Sequence, residues 1–287
     1  MSGRRVLTLP GRRLRNELRQ LRDDSGLKLH EVVKRAHEDF STPTLSRWED
    51  GATLPRPSDL RILLDVYGIG DDRREVLLDL LRAARRPAWW TQYRSVLKTG
   101  FDEYLGLEAD AATLQTYAAV LVPGLLQTEA YAREIIRAGL MSSKSNGELD
   151  RLVAMRMTRQ ELLTRTEAPL HLDAVLDEAV LRRHGREPAT MREQLRRLVE
   201  LGELGNVTIR VLPFEAGPHP AMEGAFYILE FPEPTDPAGI YFEHATSGFS
   251  VDDQAEVCQY VRRFGHLSQM ALDPEASAAH MLEIAEG

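Results

Sequence analysis

An α+β chain in two parts is expected here. The first part is a set of five short helices. The second joins helices to a mainly antiparallel sheet. Three observations predict this. Apolar residues in the first 86 positions recur only at helical spacing, with no period-2 run. From about residue 95, strand-like runs appear between helical stretches, and the last are joined by links too short for crossover helices. Charge divides at the same place: residues 1–86 hold 18 basic against 14 acidic residues, a net +4, and residues 87–287 hold 18 against 30, a net −12. The expected boundaries are 1–86, an aromatic connector at 87–110, and 111–287.

The elements follow in order. Leu14, Leu18 and Leu21 space a first helix in an Arg-rich stretch. Leu29, Val32, Val33 and Ala36 make the apolar face of a second. Thr42-Pro43 reads as a hydroxyl cap followed by proline at the first helical position. Leu45 and Trp48 form the buried side of that third helix, which Gly51 stops. Residues 58–67 form a fourth. Asp72 and Glu75, at capping-box spacing, open a fifth. Trp89, Trp90 and Tyr93 then read as core aromatics that plug the junction. Further helices are expected at 101–110, 128–138, 148–166, 177–184, 190–204, 253–270 and 274–285. Strands are expected at 170–176, 207–212, 225–231, 240–243 and 249–251. Cys258 reads as a small packed residue of a helix.

Composition excludes several classes. The 287 residues suit two domains. The longest apolar run, residues 117–126, is far short of the roughly 20 residues a membrane span needs. Arg4 and Arg5 precede no apolar segment, so no secretory signal is expected. A single cysteine builds neither an internal disulfide nor a cysteine-based zinc site. A cytoplasmic protein without metal or cofactor is expected. A basic end on an acidic body also suits a chain of which one part meets a polyanion.

The strongest local signal is the stretch from Thr42 to Gly51. It follows a short helix, as in a helix-turn-helix. A helix that buries Leu45 and Trp48 turns Thr42, Thr44, Ser46 and Arg47 outward. The major groove is about 12 Å wide and admits one helix. Arg47 can donate two bonds to a guanine edge. Thr42 suits base or phosphate, and Thr44 and Ser46 suit phosphate. Between Arg4 and Arg22 there are seven arginines and one acid, Glu17. Arg12 and Arg13 are the candidate phosphate contacts of this stretch, and Arg4 and Arg5 read as an arm.

This stretch resembles the Xre-type, lambda-repressor-like helix-turn-helix family of bacterial repressors. Leu45, Ser46, Trp48, Glu49, Asp50 and Gly51 match its recognition-helix pattern. The resemblance implies base-facing positions at Thr42, Pro43 and Arg47. It implies phosphate contacts near Lys28 and places Arg56 near a backbone or minor-groove position. The segment from His37 to Ser41 is about two residues longer than the family's tight turn and carries two acids. The Trp89-Trp90 pair with Tyr93, residues 104–108, 122–128, 177–182, 206–208 and 211–214 are similar to signatures of an actinobacterial family. There an Xre-type domain is fused to a conserved C-terminal domain. The resemblance runs from about Arg12 to Ala285. It implies an antitoxin-like transcriptional regulator that binds double-stranded DNA, encoded beside a small toxin-like or developmental partner protein.

Enzyme signals are weak. There is no His-Glu-x-x-His helix, no Gly-x-Ser-x-Gly elbow and no Walker loop. His219 and His244 read as loop and surface residues beside Glu223 and Glu243. Asp177 reads as a helix cap near Asp173 and Glu178. Residues 122–128 read as a tight turn into a helix capped by Thr128, with a binding groove as the other reading. The expectation is therefore a non-enzymatic, DNA-binding homodimer whose C-terminal domain holds a small protein. The alternative is a one-component regulator that senses a small molecule there. An enclosed apolar pocket favours the sensor, and an exposed apolar patch favours the protein partner.

Overall fold

The computed structural model describes residues 8–139, 145–183 and 187–286. The chain divides into two units between Trp89 and Trp90. The first unit is α1 (Leu9–Ser25), α2 (Leu29–Arg35), α3 (Thr42–Glu49), α4 (Pro57–Val66) and α5 (Asp71–Ala84). Proline stands in the first turn of α1, α3 and α4, where its missing N–H costs no helical bond. Gly26 ends α1 at φ 67°, a left-handed value that suits glycine. Leu14, Leu18 and Leu21 pack with Val32, Leu45, Trp48, Leu60, Leu63, Leu64 and Leu77 in one core. Two caps differ from expectation. Ser41, not Thr42, caps α3, because its hydroxyl is the one that reaches the Thr44 N–H, at 3.3 Å. Gly70 precedes α5, and no side chain caps it.

The second unit contains α6 (Phe101–Asp110), β1 (Thr113–Ala118), α7 (Glu129–Gly139), α8 (Asn146–Arg159), α9 (Glu161–Thr164), β2 (His171–Asp177) and α10 (Glu178–Arg182). It continues with α11 (Pro188–Gly202), β3 (Val207–Leu212), β4 (Phe226–Glu230), β5 (Gly239–Glu243), β6 (Gly248–Val251), α12 (Gln254–Met270) and α13 (Pro274–Glu286). The strands form one sheet in the order β3-β2-β1-β4-β5-β6. β1, β2 and β3 run parallel, with helices in their crossovers. β1/β4, β4/β5 and β5/β6 are antiparallel. The fold is α+β with a mixed sheet. One face carries Tyr117, Phe226, Ile228 and Ile240 against Val257, Phe264 and Leu267 of α12. On β4 and β5, Tyr227 and Tyr241 alternate with these and meet Tyr104 of α6.

Sequence patterning did not anticipate β1. It is a central strand, yet it reads Thr-Leu-Gln-Thr-Tyr-Ala rather than as an apolar run. Thr116 is tolerated there because its hydroxyl donates to the Phe226 carbonyl at 3.0 Å. The expected helix 148–166 is broken at Gln160 into α8 and α9. Cys258 is exposed on α12 rather than packed. His184, the expected end of α10, lies outside the described residues.

The turn between α2 and α3 has its own signature. His37 and Glu38 both take left-handed backbone, at φ 51° and 62°. Phe40 then returns to the core and meets Trp48 edge-on, with ring centroids 4.8 Å apart. The extra length of this turn is thus absorbed by two left-handed residues and anchored by an aromatic contact. A left-handed L-residue costs about 1–2 kcal/mol, part of which glycine's greater unfolded-state freedom offsets. Glu38→Gly is expected to stabilise the chain by about 0.5 kcal/mol in urea denaturation.

Candidate nucleic-acid interface

Helix α3 buries Leu45 and Trp48, at 0% and 4% exposure, and so fixes which side chains face out. Two ridges result. Along the first, Ser41 Oγ lies 2.9 Å from Thr44 Oγ1, and Arg47 Nη2 donates to that Thr44 oxygen at 3.2 Å. These residues stand three apart, one turn above another. Thr42 and Thr44 are half-buried and Arg47 is exposed. Along the second ridge, Ser46 donates to Asp50 Oδ2 at 3.1 Å. The Ser46 proton is therefore turned toward a carboxylate in this structure.

The acids at the end of α3 are held by α1. Arg22 Nε lies 2.8 and 3.0 Å from the two oxygens of Glu49, which is buried. Arg19 Nη2 donates to Asp50 Oδ1 at 2.8 Å. The hydrogen bond to Glu49 raises the Arg22 pKa above its ordinary value, against the opposing effect of burial. Arg47 has no acidic partner among the described residues, because Glu49 and Asp50 are already committed.

The other expected contacts fall in different places. Lys28 and Arg56 are exposed, at the N-termini of α2 and α4. Their backbone N–H groups donate to Glu31 at 2.7 Å and to Asp59 at 3.3 Å. Neither side chain is in an ion pair among the described residues, so both remain available to a phosphate. Arg13 is half-buried. Arg12 is only 5% exposed, which corrects its expected phosphate role: a guanidinium enclosed by protein does not meet a DNA backbone. Arg4 and Arg5 lie outside the described residues. Sequence reasoning missed Ser41, Arg19 and Arg22 as determinants of this surface. The available signal was the two acids closing α3, which need cations near them.

Residues 13–77 match a family model described as a helix-turn-helix domain. Residues 101–283, more than half of the chain, match one described as a domain of unknown function, DUF5753. The chain belongs to the DUF5753 family. No curated protein and no solved structure matches it. The helix-turn-helix match covers α2, α3 and α4 in full and supports DNA binding by this unit.

In the DUF5753 domain, residues 122–128 form a turn with internal support. Gln194 donates to the Leu126 carbonyl and accepts from the Thr128 N–H, both at 2.7 Å. Gln160 donates to the Gln127 carbonyl at 2.6 Å. Thr128 Oγ1 accepts from the Tyr131 N–H at 3.2 Å, so the turn does lead into a capped helix. Asp177 caps α10 through the Ala179 N–H at 2.9 Å. His219 is not a surface residue: its side chain is 7% exposed, and its Nε2 lies 3.2 Å from the Tyr117 hydroxyl. That hydroxyl donates to Asp177 at 2.9 Å. His244 is exposed, as expected. No described group of three or more His, Cys, Asp or Glu residues could hold a metal ion. An open groove of about 400 Å³ runs along α11, lined by Arg192, Arg196, Arg197, Glu193 and Glu200. No helix among the described residues is long and apolar enough to cross a membrane.

The two α1–α3 pairs differ in burial, and their mutants should differ accordingly. Arg22→Ala strands a buried carboxylate and is expected to cost about 2 kcal/mol, between the values for exposed and buried pairs. Arg19→Ala breaks a pair in which both side chains are roughly half exposed and is expected to cost about 0.5 kcal/mol or less. Urea denaturation of the two variants checks the ranking.

Proposed function

We propose that this chain is a sequence-specific, Xre-type transcriptional regulator that reads DNA with the ridge formed by Ser41, Thr44 and Arg47. The observation that carries the reading is Arg47: an exposed guanidinium on a helix whose neighbouring acids are occupied from α1. A guanidinium in that condition can make a bidentate bond to guanine N7 and O6 without first breaking an ion pair. Thr42 is the second base-facing candidate. Lys28, Arg56 and Arg13 are assigned to phosphate, and each contact should add about 0.9 to the salt slope. Ser46 is a weaker phosphate candidate, because it lies beside Asp50. One short recognition helix reads few base pairs, so a homodimer on two half-sites completes the reading. The regulator is assigned no catalytic step, and its site of action is the cytoplasm, where its DNA would be.

For the DUF5753 domain we propose capture of a small protein encoded nearby, in an antitoxin-like arrangement. Val120, Leu121, Phe214 and Met222 are exposed by 39–70%. They follow the carboxyl ends of β1 and β3 or lie in the loop that His219 ties to Tyr117. Large apolar side chains left exposed in these loops fit a protein partner better than a buried small molecule. The net −12 of residues 87–287 favours a basic partner and chiefly raises its on-rate.

Fluorescence anisotropy of the full chain on DNA from upstream of its own gene tests the DNA reading. Arg47→Ala is expected to cost about 1–3 kcal/mol and relax sequence preference, with random DNA as the control. Equal affinity for both DNAs, unchanged by the substitution and by the neighbouring gene product, would remove the reading. Phe214→Ser combined with Met222→Ser is expected to abolish binding of that product while leaving the chain's DNA affinity intact.

A further inference from the structure

Helix α8 directs two arginines, Arg156 and Arg159, into the same part of the second unit. Their circumstances are opposite. Arg159 is 4% exposed and fully answered: its Nε and Nη2 donate to the two oxygens of Glu108 at 2.8 and 2.7 Å. Tyr104 donates to the same carboxylate at 2.7 Å, and the Arg159 guanidinium lies over the Phe101 and Tyr104 rings. Charge, hydrogen bonds and packing all close there.

Arg156 has no such answer. Nη1 donates to the neutral Gln127 Oε1 at 2.9 Å. Nε is sealed from solvent and has no hydrogen-bond partner. No carboxylate stands within ion-pair distance among the described residues. Glu243 acts on it only through space and is itself paired with Lys98 at 2.5 Å. Burial and the neighbouring Arg159 charge hold the Arg156 pKa below the ordinary arginine value. The turn at Gly124 closes over both guanidinia: a Cβ there would lie 3.1 Å from Arg159 Nη1 and 3.7 Å from Arg156 Nε. A polar atom beside the Arg159 cluster is orphaned too. The hydroxyl of Tyr241, a ring stacked 4.4 Å from Tyr104, is buried without a partner.

An enclosed cation without a counter-charge is costly, and proteins keep one chiefly where something completes it. Arg156 is half-buried as a residue, and of its guanidinium nitrogens only Nε is both sealed and unpartnered; Nη2 makes no hydrogen bond among the described residues and is left to meet a ligand. A guanidinium presents paired donors that match two oxygens of one carboxylate or phosphate. We propose that Arg156, beneath the Gly124 turn, is the receptor of a small oxyanion, the carboxylate or phosphate group of a small molecule. The site belongs to the second unit, and the proposal does not rest on the DNA-binding reading.

The test uses the full chain, prepared in buffer free of both probe anions. Inorganic phosphate and acetate are titrated separately in thermal unfolding, against sodium chloride at matched ionic strength. A saturable rise in Tm with one of them is expected, and which one responds tells phosphate chemistry from carboxylate chemistry. Arg156→Met should lose that response and melt no lower than wild type in the probe-free buffer, since it removes an uncompensated buried charge. If Arg156→Met does not fold, Arg156→Gln replaces it. No saturable response to either anion in the wild type overturns the proposal. So does a full response retained in the variant.

Discussion

Two ion pairs from α1 hold α3, and the chemistry of its outer face follows from them. Glu49 and Asp50 close α3, where the helix dipole is negative and carboxylates are disfavoured. Left alone they would repel phosphate and compete for Arg47, two and three residues before them. Arg22 and Arg19 neutralise both from a neighbouring helix and join α3 to α1 at the same time. Leu45 and Trp48 set the rotation of α3 about its axis, while the ion pairs fix its far end. The Ser41–Thr44–Arg47 ridge is the side that these constraints leave free.

This changes what the basic N-terminal stretch means. Arg-rich segments beside a helix-turn-helix suggest phosphate contacts in proportion to their number. Here Arg19 and Arg22 are spent within the fold, and Arg12 is enclosed. The local excess of positive charge still attracts a polyanion at long range, because a field sums over paired and unpaired charges alike. Close phosphate contacts need accessible side chains, and Lys28 and Arg56 qualify better than much of the arginine run.

The helices were legible because the burial of Leu14, Leu18, Leu45 and Trp48 repeats at helical spacing, and because proline and glycine mark the ends. The α3 cap was misread by one residue, since Ser41, Thr42 and Thr44 are chemically equivalent caps and only geometry selects among them. β2 to β6 were visible as apolar runs. β1 was not, because it carries Thr113, Gln115 and Thr116 where an apolar run would stand, and the bond that lets Thr116 sit there goes to the distant Phe226. The outward set on α3 could be read from periodicity alone. The Arg22–Glu49 pair could not, because it links residues 27 apart whose meeting depends on how α1 crosses α3. His219 belongs to the same class: nothing local shows that its ring meets Tyr117, which lies in another element.

Arg156 and Arg159 show the limit of reading charge from sequence. They are the same residue type, one helical turn apart, in the same local composition. Arg159 meets Glu108, an acid 51 positions away, and becomes part of the core. Arg156 meets an amide from the 122–128 turn and keeps its charge. A core needs only the first kind of arginine, since a completed pair leaves no field for a ligand to answer. The second kind raises the free energy of the empty protein and lowers it when an anion arrives. The difference between the two states is the free energy available for binding, and that makes such a position suited to a receptor rather than to a support.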